Sequence, residues 1–205
     1  MDAKELYGFL IGHAGGGACD GFDAHVVASA LSLAAFEGAG DAAALVNGLG
    51  LESAELVALV GDVFPDVQAA FAKALANAPP LKRGADETCL RELLGRSASG
   101  GKLSLALASI VARRALEPHH LWQDLGLRNR RELSWLMERH FEGLALKNQR
   151  DMKWKKFLYR VICRDEGFAL CVAPSCAECS DFEGCFGDEA GHGLLAHDAG
   201  SLSNP

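Results

Sequence analysis

Four of the chain's seven cysteines lie close together near its carboxyl end, in the segment CVAPSCAECSDFEGC (171–185). Their spacing is C-x4-C-x2-C-x5-C, which leaves no room for a regular element between the thiols. All ligands of one metal centre must converge within a few ångströms, and a looped backbone allows this over short spacings. We therefore predict an irregular cysteine-rich loop with these candidate ligands: Cys171, Cys176, Cys179 and Cys185.

The spacing also favours one kind of centre over the others. A structural zinc site usually combines two C-x2-C pairs separated by a longer span, whereas this segment has one such pair. C-x4-C-x2-C is the spacing of the first three ligands in plant-type iron–sulfur proteins. An iron–sulfur cluster is therefore favoured, and zinc, a disulfide pair or unliganded cysteines are the alternatives. Cys163, eight residues before Cys171, is a candidate fifth ligand.

The rest of the composition predicts a cytoplasmic protein. The N-terminal segment MDAKELYGFL carries three charged residues and does not resemble a secretory signal. The longest apolar run, 103–112, has about half of the ~20 residues that a membrane span needs. Disulfides are rare in a reducing cytosol, and seven is an odd number of cysteines. A net charge of −7 favours neither nucleic acid nor an anionic membrane as partner.

Hydrophobic periodicity predicts an all-α fold with no alternating strand. We expect a single helical domain over residues 1–167, the cysteine loop over 168–189 and a flexible tail over 190–205. Asp86 is expected to cap a helix that starts after it, and Asn129 with Glu132 has the spacing of a capping box. The other predicted helices cover 24–37, 53–64, 66–75, a segment from 102 that stops before Pro118, and 150–163.

The last of these helices is basic on one side. Residues 119–164 contain 11 Lys and Arg against 5 Asp and Glu, whereas residues 165–205 contain no Lys or Arg and 8 Asp and Glu. A solvated charged face is the simplest explanation. The functional alternative is that three lysines attract an anion or dock an acidic partner, an effect that falls with salt. These lysines are Lys153, Lys155 and Lys156.

Three segments resemble the NifQ family of nitrogen-fixation proteins: HLWQDLGL (120–127), MKWKKFLYRVIC (152–163) and CVAPSCAECSDFEGCFGDE (171–189). The resemblance implies a carrier and not an enzyme, one that holds a molybdenum–iron–sulfur cluster and donates molybdenum for assembly of nitrogenase's iron–molybdenum cofactor. The implied recipient is the NifEN scaffold with the NifH protein. Carried over by position, the cluster ligands are the four cysteines of the motif.

Thiolates are soft donors that suit such a cluster. On a [3Fe–4S]-like core, we expect three cysteines to hold iron and the fourth to reach a vacant corner occupied by molybdenum, delivered as molybdate or a molybdenum–sulfur species. His120 lies in a matching segment and is a candidate molybdenum ligand, although a helix cap or packing on Trp122 is the more usual role. A zinc-stabilised interaction module and an iron-only electron-transfer protein remain the competing functions.

Overall fold

A computed structural model describes residues 2–15, 20–165 and 180–195. Within these ranges the regular structure is helical and contains no strand, which confirms the all-α prediction. A short 3₁₀ turn covers Pro65–Val67. The α-helices, labelled α1 to α12 in chain order, are Ala3–Gly12, Gly21–Glu37, Ala42–Leu49, Ser53–Val63, Gln68–Leu75, Ala85–Arg96, Gly101–Arg114, Leu121–Asp124, Arg130–His140, Glu142–Ala145, Trp154–Asp165 and Phe182–Phe186.

The core is built around α2, which is buried on nearly all sides. Its Asp20 cap accepts hydrogen bonds from the backbone N–H groups of Phe22 and Asp23, both at 3.0 Å, so the helix begins earlier than the predicted residue 24. It ends at Gly38 as predicted. α1 and α3 pack against α2, while α6 and α7 pack against each other. The predicted buried helix from residue 102 is α7, whose Leu107, Ile110 and Val111 are all fully buried.

The start of α6 differs from the prediction. Its N-cap is Gly84, and Asp86 lies inside the first helical turn. A carboxylate in the first turn stabilises a helix through its dipole, without capping it. The prediction that Asp86 is the cap was therefore wrong, because the cap lies two positions earlier, although the charge of Asp86 still stabilises the start of the helix.

Asn129 does cap α9, as predicted. Its side chain accepts a hydrogen bond from the Glu132 N–H at 3.2 Å. The Glu132 carboxylate, however, accepts from the Arg128 N–H at 2.9 Å and contacts His25 Nε2 of α2 at 3.1 Å. His25 and Glu132 are both buried, so this pair joins α2 to α9 inside the core. A second pair, Asp23 with His140 at 3.0 Å, joins the same two helices.

α11 begins at Trp154, later than the predicted residue 150. A compact turn precedes it, in which the Asn148 side chain bonds both backbone groups of Met152 at 2.9 Å. Asp151 in this turn has a φ of +52°, which a helix does not permit. The predicted apolar stripe of α11 does face the core: Leu158 is fully buried, Trp154 is 4% exposed and Phe157 is 7% exposed.

Residues after the cysteine segment return to the helical body. Leu195 is 2% exposed, and the Gln123 side chain donates to the carbonyl of His192 at 2.9 Å. At Gly126, which has a φ of +70°, an added Cβ would lie 2.9 Å from the carbonyl oxygen of Ser29, so the backbones pack closely there. The packed chain thus extends beyond the boundary predicted at residue 190, as far as Leu195.

No individual helix in the described ranges combines the length and apolar character needed to cross a bilayer. One pair of helices, α3 with α4, meets the criterion jointly by length and composition, but the two are bent by 79°.

Candidate metal-cluster site

Of the four motif cysteines, the structure describes Cys185. Cys171, Cys176 and Cys179 lie outside the described residues, as does the proposed boundary at residue 167. Within the described ranges, no group of three or more His, Cys, Asp or Glu side chains is arranged to hold a metal ion. The described part of the candidate site is therefore Cys185 and the residues that surround it.

Cys185 lies in α12, a five-residue helix inside the range that was predicted to be an irregular loop, so that prediction was wrong for Phe182–Phe186. Backbone contacts fix this helix to the residue that precedes α11. The Lys153 N–H donates to the carbonyl of Cys185 at 2.8 Å, and the Lys153 ammonium donates to the carbonyl of Glu183 at 3.0 Å. Cys185 and Phe186 are partly buried and pack against the hydrophobic core. Lys153 thus holds α12 at two points, with its backbone N–H on Cys185 and its side chain on Glu183.

Aromatic contacts support the same docking. Phe182 and Phe186 stack one turn apart on α12, with ring centroids 4.7 Å apart. The guanidinium of Arg150 lies over the Phe186 ring, 5.4 Å from its centroid. These contacts orient α12 so that the partly exposed Cys185 remains on the same side of the molecule as the N-terminus of α11.

Glu189, four residues after Cys185, is held by two basic side chains. Its carboxylate lies 2.9 Å from Arg130 Nη1 and 3.5 Å from His120 Nδ1, and its side chain is only 5% exposed. Arg130 also donates to the carbonyls of Asp151 and Met152 and to the Asp151 carboxylate, at 2.8–3.1 Å. Burial disfavours the Arg130 charge, but the hydrogen bond to Asp151 and the charge of Glu189 outweigh it and raise the pKa of Arg130.

The three lysines predicted to act together are divided by the structure. The Lys155 ammonium donates to the carbonyl of Glu117 and to the Asp124 carboxylate, whose side chain is 2% exposed. Asp124 is also 3.0 Å from His119 Nδ1. Lys155 therefore joins α11 both to α8 and to the segment before it. Lys156, by contrast, is 55% exposed and lies 3.7 Å from Asp181, at the start of α12.

His120 lies at the start of α8, where its backbone N–H donates a hydrogen bond to the Gln123 side-chain oxygen at 3.2 Å. Its ring faces Glu189. The helix-capping position matches the more usual role considered for this residue, and the contact with Glu189 places it beside the segment that follows Cys185. No other metal-binding side chain is grouped with it in the described part of the chain.

Cys163, the candidate fifth ligand, lies near the opposite end of α11. A helix rises about 1.5 Å per residue, so Cys163 is roughly 15 Å along the axis from Lys153, to which Cys185 is bonded. Within the described residues, no group of three or more candidate metal ligands includes Cys163, and its role as a fifth ligand stays a prediction.

The sequence reasoning did not single out Asp124, Arg130 or Glu189. Asp124 and Glu189 do lie inside two of the segments used for the family resemblance, HLWQDLGL and CVAPSCAECSDFEGCFGDE, so their position was a usable signal. Arg130 lies in the basic run RNRR, where nothing distinguishes it from its neighbours. Its role depends on contacts with residues that are distant in sequence.

Comparison with known proteins relates this chain to one family. The family model NifQ matches residues 26–187. A protein NifQ homolog of Sinorhizobium fredii is 40% identical over 183 residues, covering 88% of this chain and 78% of the relative. The protein NifQ of Rhodobacter capsulatus is 40% identical over 139 residues, 67% of this chain and 75% of the relative. No solved structure matches the chain.

The chain belongs to the NifQ family, since the family model covers most of its length. The resemblance predicted from the cysteine spacing and the basic helix is therefore confirmed. Membership connects the chain with nitrogen fixation and with the handling of molybdenum in the biosynthesis of nitrogenase's cofactor.

Proposed function

We propose that this chain is a carrier that holds a molybdenum–iron–sulfur cluster and donates molybdenum for assembly of nitrogenase's iron–molybdenum cofactor. It acts by holding and releasing cargo, without catalytic turnover. The ligands are Cys171, Cys176, Cys179 and Cys185. The observation that carries the proposal is the family match, which runs to residue 187 and so includes all four thiols at their spacing.

The chemistry of the donor set fits this cargo. Thiolates bind iron–sulfur clusters, whereas harder oxygen donors suit other metals. Four thiolates exceed by one the needs of a [3Fe–4S]-like core. Three of them hold iron in this proposal, and the fourth reaches the vacant corner where molybdenum is accepted.

The surroundings of Cys185 suit an anionic cargo. A cluster with thiolate ligands is negatively charged, and positive charges nearby stabilise it. Lys153 and Lys156 both lie beside α12, and Lys156 is largely exposed. Lys155 is occupied by Asp124 and Glu117. We therefore assign attraction of molybdate, or of a molybdenum–sulfur species, to Lys156 with support from Lys153.

The NifEN scaffold with the NifH protein is the recipient in this proposal. The basis is the family's place in cofactor biosynthesis. The exposed Lys156 and the surface around α12 lie next to the cargo, and a recipient must approach that surface to take molybdenum.

Single Cys→Ala variants of the full chain, purified without oxygen and assayed separately for iron and molybdenum, test the ligand assignment. Alanine at an iron-holding cysteine is expected to reduce both metals, and alanine at the molybdenum-facing cysteine to reduce molybdenum alone. Cys89→Ala, in α6 and outside the motif, is the matched control and should retain both. Joint loss of both metals in all four variants contradicts the division of roles.

Charge reversal tests the attraction of molybdate. Lys156→Glu should slow molybdenum loading at low salt and reduce its dependence on ionic strength, because the steering charge is removed. Lys147→Glu, an exposed lysine before α11, is the control for net charge. Equal loading rates in the two variants rule out a steering role for Lys156.

A further inference from the structure

We infer that Arg130 and Glu189 are positioning residues for Cys185: their ion pair joins the segment after the last motif cysteine to the turn before α11. This inference rests on the proposed function, because it concerns a ligand of the proposed cluster. It adds two residues outside the cysteine motif on which the placement of that ligand depends.

Arg130 contacts two separate parts of the chain. Its Nη2 donates to three oxygens of the turn 151–152, while its Nη1 lies 2.9 Å from the Glu189 carboxylate. A guanidinium presents several donors in a fixed plane, so one side chain can hold both partners in a defined relation. Arg130 itself extends from the rigid helix α9.

The contacts of Arg130 and Lys153 lie on both sides of Cys185 along the chain. Lys153 directly follows the turn held by Arg130, and its N–H donates to the carbonyl of Cys185. Glu189 follows Cys185 by four residues and is tied to the same guanidinium. The chain from Cys185 to Glu189 is therefore attached at one end to Lys153, directly before α11, and at the other end to Arg130 of α9, which also bonds the turn before α11.

The ion pair between Arg130 and Glu189 is largely buried. The Glu189 side chain is 5% exposed and Arg130 is 21% exposed, so solvent screens this pair much less than a surface pair. Loss of Arg130 leaves the buried Glu189 carboxylate with only the His120 contact, and loss of the Glu189 charge removes the attachment of the segment to Arg130; both changes favour release of the segment. His120, at 3.5 Å, is a weaker second contact for Glu189 and does not hold the turn.

Amide hydrogen exchange in the metal-free full chain tests the junction directly. In Glu189→Gln, the Lys153 N–H should exchange about tenfold faster or more, because its acceptor on Cys185 is released. The Met152 N–H, bonded to Asn148 within the turn, should be unchanged. In Arg130→Gln both amides should exchange faster. Unchanged Lys153 exchange in Glu189→Gln overturns the inference.

Two exposed neighbours provide matched controls. Asp188→Asn removes an adjacent carboxylate, and Arg131→Gln removes an adjacent guanidinium that contacts Trp135. Neither variant should alter Lys153 exchange or the rate at which an alkylating reagent modifies Cys185. An effect of Asp188→Asn as large as that of Glu189→Gln attributes the change to net charge and overturns the specific role of the pair.

A metal readout separates positioning from simple stability. Glu189→Gln should change the visible and electron-paramagnetic-resonance spectra of the anaerobically loaded protein, since one cluster ligand is less well held. Unchanged spectra with faster Lys153 exchange show that the junction does not position the ligand, and contradict the inference. If the parent chain binds no cluster, the proposed function fails, and exchange and alkylation still decide whether the junction holds Cys185.

Discussion

Lys155 and Lys156 are adjacent in sequence, and the structure predicts very different consequences for their removal. The Lys155 ammonium is bonded to Asp124, whose side chain is 2% exposed, whereas Lys156 is 55% exposed and lies 3.7 Å from an exposed Asp181. Substitution by methionine removes the charge and retains most of the aliphatic chain. The pair of variants therefore isolates the effect of charge burial on stability.

The expected magnitudes follow from these environments. Breaking a buried ion pair by removing one partner costs about 3–5 kcal/mol. Lys155 is 19% exposed and His119 remains 3.0 Å from Asp124, so we expect Lys155→Met to lower the free energy of unfolding by about 2–3 kcal/mol. Lys156→Met should cost less than about 0.5 kcal/mol, as for other exposed pairs.

Urea denaturation of the metal-free variants at pH 7 measures both values. For a chain of this size, about 2–3 kcal/mol corresponds to a fall in Tm of roughly 5–10 °C. Asp124→Asn combined with Lys155→Met should recover part of the loss, because no buried charge is then left without its partner. Equal stability of the two methionine variants would refute the assignment of Lys155 to a structural pair.

Three further predictions concern the helical body. Burial raises the pKa of Glu132, but the contacts with His25 and with the Arg128 N–H outweigh burial and lower this pKa below its ordinary value. The resulting stabilisation is present above about pH 4.5 and is lost as the pH falls through the lower folded pKa. In denaturation curves, Glu132→Gln should therefore show a flatter fall in unfolding free energy between about pH 5 and 3 than the parent chain. Asn129→Ala removes the α9 cap and should lower the free energy of unfolding, measured by urea denaturation, by about 1 kcal/mol. An unchanged free energy of unfolding contradicts the role of Asn129 as a cap. Gly126→Ala places a side chain at a positive φ and against the Ser29 carbonyl, so it should lower the free energy of unfolding by about 1–3 kcal/mol and Tm by several degrees. An unchanged Tm contradicts the close packing.

Local sequence signals predicted the helix ends that are marked by a capping or helix-stopping residue. α2 ends at Gly38 and α9 begins after Asn129, as expected from the residues that stop or cap helices. The short helices α8 and α10 have only a few residues and no repeating apolar pattern, so periodicity does not reveal them. The late start of α11 depends on Asn148 and Arg130, which bond the preceding turn through side chains.

The candidate site was predictable only where its chemistry is local. The four motif cysteines lie within one short segment, so their spacing can be read directly from the sequence. The family match confirms the resemblance that this spacing suggested. The partner of Lys155 is Asp124, 31 residues earlier in the chain, and that of Glu189 is Arg130. Such pairs depend on how helices pack, so the sequence suggested one basic cluster where the structure has two separate sets of contacts.

Metal analysis of the full chain, purified without oxygen after expression with molybdate, tests the central claim most directly. The carrier proposal predicts iron and molybdenum in the same preparation, broad visible absorption, and loss of both metals when all four motif cysteines are replaced by alanine. Stoichiometric zinc without iron or molybdenum would contradict it, as would iron alone under conditions where molybdate is abundant.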